Sequence, residues 1–423
     1  MSADVLTEHS PYPDSLRNRE WNEDVGEGLC LNPWESSDFY RRWFFRWENF
    51  GGAFGYYTNY MVGAQWVPSS DGALPEPKIV LPKITNLDFG SLISACFFGF
   101  DNTDITSIFS IDFKGAPIES AQAYSMLTPL LAAIYLRLLE NLLGVGLKKD
   151  YVSKTDSLSK VKGKIQWADN LRHNANRGRD HRLVCRYGEY TVDTPQNRLL
   201  KSALVICSRM VGGADPTVGS RISKCLNQMS EVSDDYRNVS FALPRTHKIF
   251  RHYSEALKMA KCILRFRDYS LSKSGSHIKC VPPFWIDMPL LFERYVLGLL
   301  YSACPESIKY QLEGKTGFPD FLHTAEKLIL DAKYIPDLGD DEAETYIVRQ
   351  LAGYSRDVII REALGVDDDE IVRCVLIYPE RVGRDEFRKC NRNPFKQAFE
   401  LIMKPSLAYN HFYTIAVPVP LLV

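Results

Sequence analysis

The chain has 423 residues, 45% hydrophobic and 24% charged, which is the composition of a globular protein with room for about two or three domains. A formal net charge of −1 excludes a globally basic nucleic-acid-binding chain, so any basic surface must be local. The ten cysteines, Cys30 to Cys390, contain no C-x-x-C spacing; this argues against a zinc ribbon or a disulfide scaffold and fits reduced thiols in the cytoplasm. The N-terminal stretch lacks the apolar core of a secretory signal.

In chain order, residues 1–42 are polar and read as an arm with Trp21 and Trp34 as isolated anchors. Residues 43–117 carry short β-like runs, "GAFGYYTNYMVGAQWV", "PKIVLPKI" and "ITSIFSIDF", punctuated by glycine and proline. A helix is predicted over 118–143 from Leu127, Leu130, Leu131, Ile134, Leu138 and Leu142, with Gly144 as its stop. Its apolar stretch is interrupted by Arg137 and Glu140, so it is read as a buried helix of a soluble domain, with no membrane partner. Residues 148–186 are basic, with eleven Lys and Arg against four Asp. Further helices are expected near 195–211, 217–231 and 253–268. The whole of 43–283 is therefore an α+β region, β-rich over 43–117 and helical and basic over 118–283.

From 284 to 423 the pattern becomes α/β. "DMPLLFERYVLGLLYSAC" has the apolar spacing of one helical face, with Asp287 as N-cap. Strands are predicted at about 307–313, 318–324 and 327–335. A helix follows over 341–363, stopped by Gly365, with a core stripe of Ala343, Tyr346, Ile347, Gln350, Leu351, Tyr354 and Val358. "EIVRCVLIYP" and "HFYTIAVPVP" supply two more strands.

Within this region "GFPDFLHTAEKLILDAKYI" gathers Asp320, Asp331 and Lys333. The pattern [DE]-x-K is weak alone, since it recurs at Glu76–Lys78, Asp112–Lys114 and Glu313–Lys315. Context favours the last copy. Residues two apart on a strand share a face, so Asp331 and Lys333 point the same way. Asp320 opens a neighbouring strand, and the carbonyl of Ala332 can add a ligand. Two carboxylates on adjacent strands suit Mg²⁺, and a lysine suits the attacked phosphate of a phosphodiester. The alternative is an ordinary cross-strand ion pair. Around Asp112, by contrast, Asp101 and Asp104 fall in a loop-like run with no second strand to carry them. Gln350, within an apolar stripe, requires a partner, either from a neighbouring site or from backbone carbonyls.

"PD", "DAK" and "QLAGY" together resemble the PD-(D/E)xK nuclease superfamily in its Q-x-x-x-Y variant. With "PKIVLPKI", "GKIQW", "VCRYGEYTVDTPQNRLLKSAL" and "FWIDMPLLFERYVLGLL", the chain resembles the McrC family, over roughly residues 60–420. The resemblance implies that 284–423 is a restriction-endonuclease-like α/β domain with a mixed central sheet. It implies a Mg²⁺-dependent DNA endonuclease acting on double-stranded DNA with a hexameric AAA+ GTPase, McrB, that recognises 5-methylcytosine. In such a site Asp320, Asp331 and the Ala332 carbonyl hold Mg²⁺, Lys333 orients water or stabilises charge, and Gln350 and Tyr354 support them. Glu293 is either an added acid or a solvated helix carboxylate. Residues 43–283 would bind the partner. Lys162, Lys164, Arg172, Arg177, Arg179 and Arg182 are candidates for contact with DNA or with the GTPase ring, or for a solvated loop. Asn197 and Arg198 are read as tying the two halves of the chain together, with a partner contact as the second reading. No P-loop is present and no His–Cys pair has zinc spacing. A second reading from another class is a non-catalytic adaptor that assembles or activates the ring, with the nuclease fold as scaffold.

Overall fold

The computed structural model describes residues 4–8, 30–31, 45–50, 53–67, 74–96, 108–211, 216–236, 251–271, 279–336, 342–367, 369–383, 393–406 and 409–421. Most of the expected arm, with Trp21 and Trp34, and also Asp101 and Asp104, lie outside the described residues. By contacts the chain divides into two compact units, residues 1–130 with 272–423, and residues 131–271.

The first unit begins with β1 (Asp4–Thr7), β2 (Cys30–Leu31), β3 (Phe45–Phe50), β4 (Ala53–Thr58), β5 (Met61–Val67), β6 (Glu76–Leu81), α1 (Phe89–Cys96), β7 (Phe109–Ile111) and β8 (Ile118–Glu119). After the second unit it resumes with β12 (Cys280–Val281) and β13 (Phe284–Asp287). A five-stranded sheet has the order β1-β6-β5-β13-β7, while β2-β3-β4 and β12-β8 form small sheets. Runs such as Val62, Ala64, Ile79 and Val80 are buried, as expected for strands covered on both sides. Residues 284–287, which the sequence reading attached to the C-terminal domain, pair instead with N-terminal strands, Ile286 opposite both Val62 and Phe109. Gly63 permits this: its φ is 149°, and a Cβ there would lie 2.0 Å from the Phe284 carbonyl oxygen.

Helix α2 (Ala121–Val145) starts later than expected because Ile118–Glu119 pairs with Cys280–Val281, and Ser120 Oγ caps Ala123 N at 3.0 Å. Gly144 lies inside it. Among the described helices it alone is long and apolar enough to cross a membrane by length and composition, but 72% of its most apolar window is buried inside the protein.

The C-terminal part of this unit contains α7 (Met288–Ala303), β14 (Ile308–Tyr310), β15 (Phe321–His323), β16 (Leu328–Ala332), α8 (Glu342–Tyr354), α9 (Val358–Leu364), β17 (Arg373–Gly383), α10 (Phe399–Ile402), β18 (Lys404–Pro405) and β19 (Phe412–Leu421). Its six-stranded sheet has the order β14-β15-β16-β17-β19-β18. The first three strands are antiparallel, β16, β17 and β19 are parallel, and β18 closes antiparallel, so the sheet is mixed. Leu322, Ile329, Cys374 and Leu376 pack on Ile347, Leu351, Tyr354, Ile360 and Leu364; each fully buried aliphatic side chain contributes about 1.5–3 kcal/mol. Near the far strands, the Tyr295 hydroxyl of α7 donates to the Pro418 carbonyl at 2.6 Å.

The single helix expected over 341–363 is two. Asp357 has extended backbone and its carboxylate accepts from Ile359 N at 3.0 Å, which starts a new helix after a break at 355–357. Gly365 ends α9 in the left-handed conformation, φ 64°. Two residues of the expected stripe face outward: Tyr346 is 67% exposed, on the turn beside buried Ile347, and Val358, which opens the new helix, 73%.

The second unit contains β9 (Asp150–Leu158), β10 (Lys164–Ile165), α3 (Trp167–His173), β11 (Leu183–Thr191), α4 (Pro195–Val211), α5 (Pro216–Gln228) and α6 (Arg251–Leu271). The basic segment, expected to be helical or a loop, is largely a sheet of order β10-β11-β9. Apolar residues are scarce on this ribbon because much of both faces is exposed, which hid its β period. Asn197 accepts from Tyr253 Oη at 3.0 Å and donates to the Lys148 and Val192 carbonyls. Arg198 makes a two-pronged contact with Asp193 at 2.8 and 2.6 Å. Among the described residues both therefore tie segments within this unit.

Candidate active site

The strand β16 is buried along its length. Alternation sends Leu328, Leu330 and Ala332 to one face, and Ile329, Asp331 and Lys333 to the other. The last ladder pair between β15 and β16 is Phe321↔Leu330. One step further, Asp320 stands opposite Asp331, on the same face. Gln311 N donates to the Asp320 carbonyl oxygen at 3.0 Å, so β14 fixes the Asp320 backbone from its other side. The Asp320 carboxylate accepts from Ala332 N at 2.7 Å. The N–H and C=O of a strand residue point to the same edge, so the Ala332 carbonyl is directed toward Asp320 and not toward β17.

Lys333 Nζ lies 2.8 Å from Asp331 Oδ2. The Asp331 side chain is 1% exposed, and among the described residues neither of its oxygens receives a well-formed hydrogen bond. Burial first, then the Asp331 and Glu293 charges, push the Asp320 carboxyl well above the ordinary range. Burial also raises Asp331, against the pull of Lys333. For Lys333 burial acts downward, but the Asp331 and Asp320 charges outweigh it and hold the ammonium above its usual value. Lys333 is therefore a fixed cation rather than a base. Two facing carboxyls, one of them with buried oxygens that lack a well-formed hydrogen bond, fit a divalent cation. Among the described residues no three or more of His, Cys, Asp and Glu form a metal cluster; Mg²⁺ characteristically uses one or two carboxylates and keeps waters.

Glu293 on α7 is half-buried, not freely solvated. Its Oε1 accepts from Tyr310 Oη at 2.7 Å and from Gln311 Nε2 at 2.9 Å. Burial raises its carboxyl, and Asp331 raises it further. Gln350 Nε2 donates to Tyr354 Oη at 2.8 Å, and that hydroxyl donates to the Phe318 carbonyl at 3.1 Å. The pair thus holds the loop that ends in Asp320. Gly317, φ 133°, makes the approach possible, since a Cβ there would lie 3.2 Å from Tyr354 Cε1. Tyr310 and Gln311 were not anticipated; their signal is only their nearness in sequence to "PD". Gln311 has a left-handed backbone, φ 44°.

The other copies of [DE]-x-K are different. Asp112 is exposed and its Oδ1 accepts from Lys114 N at 2.8 Å, closing a turn. Lys78 pairs with Glu76 at 2.8 Å. Glu313 and Lys315 are both exposed.

The six basic candidates all lie in the second unit, and the sheet that carries Asp320 and Asp331 in the first. Lys162, Lys164, Arg172, Arg177, Arg179 and Arg182 are exposed. Lys162 Nζ sits 3.9 Å from the Tyr187 ring centroid. The run containing Arg177, Arg179 and Arg182 is an ordered turn: buried Asn174 donates to Asn170 Oδ1 at 2.8 Å and to the Arg182 carbonyl at 3.1 Å, and accepts from Ser157 Oγ at 2.9 Å. Trp167 and Leu171 of α3, 66% and 57% exposed, stand among these charges.

The family model for the McrBC 5-methylcytosine restriction system component matches residues 80–350. No curated protein matches the chain. A solved half-complex from a tetradecameric assembly of Thermococcus gammatolerans McrB AAA+ hexamers with bound McrC is similar at 15% identity and a TM-score of 0.34, over 89% of this chain and 81% of that one. A cryo-EM structure of the Thermococcus gammatolerans McrBC complex is similar at 13% identity and a TM-score of 0.31, over 71% and 87%. The chain belongs to the McrBC 5-methylcytosine restriction system component family. The resemblance to McrC holds at that level.

Proposed function

We propose that this chain is the McrC-type nuclease subunit of such a system, cutting double-stranded DNA in a Mg²⁺-dependent reaction, with a PD-(D/E)xK site at Asp320, Asp331 and Lys333. The observation that carries the reading is the same-face pairing of Asp320 and Asp331 across neighbouring strand ends, with Lys333 2.8 Å from Asp331. The carboxylates of Asp320 and Asp331 and the carbonyl of Ala332 would hold Mg²⁺, which supplies Lewis-acid polarisation of the phosphate when bound. Hydrolysis joins a water oxygen to phosphorus and breaks the bond to the leaving sugar oxygen. Lys333, kept charged by its two aspartates, stabilises the negative charge that grows on the phosphate oxygens. Glu293, held by Tyr310 and Gln311, adds a third acid beside the pair. Gln350 and Tyr354 keep Asp320 in position through the Phe318 carbonyl.

One of the similar solved structures holds McrB AAA+ hexamers with bound McrC, and the other is a McrBC complex. By the same token we propose an AAA+ GTPase ring of the McrB type as partner here. Near-neutral net charge and the lack of a nucleotide-binding loop support a nuclease that depends on that partner to deliver modified DNA. The exposed basic and aromatic ribbon of the second unit is the surface proposed to meet DNA or the ring. The test is a cleavage assay with Mg²⁺ on 5-methylcytosine-containing duplex DNA, with and without the GTPase and GTP. Cutting only in the complete mixture supports the reading. A complete mixture that raises GTP hydrolysis and never cuts would favour the adaptor.

A further inference from the structure

Behind the candidate site, on the face of β16 opposite to Lys333, lies a buried polar group that the reaction above does not use. Tyr334 follows Lys333, so its side chain goes to the other face. It is 5% exposed, and its ring centroid is 6.1 Å from that of Phe292 in α7. Opposite it is Glu8, which follows β1 and is 1% exposed. Glu8 N donates to the Leu81 carbonyl at 2.8 Å, and Glu8 Oε1 accepts from Lys83 N at 2.8 Å. Lys83 Nζ sits between two rings, 4.8 Å from the centroid of Tyr60 and 4.9 Å from that of Tyr334.

Two buried atoms here are left over. Glu8 Oε2 and Tyr334 Oη have no well-formed hydrogen bond among the described residues. Both groups nonetheless stand against the same residue, Glu8 on the Lys83 N–H and Tyr334 under the Lys83 ammonium, with the Ile84 backbone also near the phenol. Each unpaired buried polar group costs about 1–3 kcal/mol, so a carboxyl and a phenol in this relation gain by closing on one another. The backbone between them and the site is short. Lys333 N donates to the Ile377 carbonyl at 2.9 Å, and Ile335 N returns to the Lys333 carbonyl at 2.8 Å. Whatever holds Tyr334 therefore sets the peptide that carries Lys333.

We propose that Glu8 and Tyr334 form a buried carboxyl–phenol pair through which the N-terminal strand positions Lys333. Both are positioning residues; neither touches the reacting atoms. The pair joins the sheet containing β1 and β6 to the catalytic end of β16, within one compact unit. Its role in cleavage rests on the nuclease reading above, while its effect on the strand does not.

The test uses the full chain. Tyr334→Phe keeps the ring and its contact with Lys83, Glu8→Ala removes the carboxyl, and Glu8→Gln keeps its shape and hydrogen-bonding capacity. Hydrogen exchange on the metal-free chain is the first readout. Tyr334→Phe and Glu8→Ala should speed exchange of the Lys333 amide about ten- to a hundredfold, leave β17 and β19 protected, and show no further increase when combined. Glu8→Gln should restore protection. The second readout is cleavage by the chain with its GTPase, GTP and Mg²⁺: kcat should fall about ten- to a hundredfold with KM for DNA and ring stimulation unchanged. Unchanged Lys333 exchange in both variants, or effects that multiply in the double variant, overturn the pairing. Changed exchange with parental kcat overturns the positioning role. A parent that cuts no DNA, or an Asp331→Ala variant that cuts like the parent, overturns the nuclease reading instead, and the exchange data then stand alone.

Discussion

Asp320 faces Asp331 one step past the last rung of the β15–β16 ladder, and its carboxylate takes the Ala332 N–H that a continuing strand would have bonded. The ladder thus stops where the proposed chemistry begins. Asp320 replaces a backbone acceptor and, in doing so, brings a second carboxyl against Asp331, which raises the cost of ionising Asp320.

This repulsion predicts a trade between stability and cutting. Asp320→Asn removes an ionisable carboxyl that faces Asp331, while its side-chain oxygen still accepts from Ala332 N. The metal-free variant should be more stable than the parent by about 1–3 kcal/mol in urea unfolding. Mg²⁺ should raise the parent's melting temperature and leave that of the variant unmoved, since only a bound native state is stabilised.

Tyr354 should act through the loop it holds. Tyr354→Phe deprives Gln350 of its partner and frees the Phe318 carbonyl, costing about 1–2 kcal/mol in urea unfolding. Gly317→Ala should cost about 1–3 kcal/mol, because it combines an unfavourable φ with a close contact on the same ring. The two effects should add to less than their sum, as both act on one contact.

Glu8 should give the chain a pH signature. Burial, opposed chiefly by Lys83, raises its carboxyl from 4.5 to about 7; Tyr334 also lowers it, and Asp287 raises it. The folded chain thus keeps a proton that the unfolded chain has lost. Stability from this group is fully present below about pH 4.5 and falls as pH rises through about 7, by on the order of 2–3 kcal/mol. Glu8→Gln should flatten this slope in unfolding curves taken between pH 4 and pH 8 (values chosen to span about the two limits). A parental slope in the variant would assign the effect to other groups.

The basic turn of the second unit should matter in a salt-dependent way. Replacing Arg177, Arg179 and Arg182 with alanine removes exposed charges and one hydrogen bond, from the Arg182 guanidinium to the Ser157 carbonyl, and keeps Asn174, so the fold should lose no more than about 1 kcal/mol. Binding of DNA or of the ring should weaken most at low salt and converge with the parent at high salt. Equal binding of both partners across a salt titration would reduce this run to a solvated turn.

Much of the candidate site was legible because strand parity is rigid: once "KLILDAKYI" is a buried strand, Asp331 and Lys333 must share a face. Asp287 and Gly365 were also legible, since capping is local. The break before α9 was not read, although Asp357 is a good N-cap, because the apolar stripe runs past it. The ribbon of β9 and β11 was missed because a strand exposed on both faces has no apolar alternation. Glu8 and Tyr334 were illegible: 326 positions separate them in sequence, and only tertiary structure brings them together.

The central claim is that Asp320, Asp331 and Lys333 form the cutting site and that the copy at Asp112 does not. The direct measurement is Mg²⁺-dependent, single-turnover cleavage of 5-methylcytosine-containing duplex DNA by the chain assembled with its GTPase and GTP, comparing parent, Asp331→Ala and Asp112→Ala. The account predicts parental cutting by Asp112→Ala and a loss of about a thousandfold or more in Asp331→Ala, with GTP hydrolysis retained in both. Parental cutting by Asp331→Ala, or loss of cutting confined to Asp112→Ala, would contradict it.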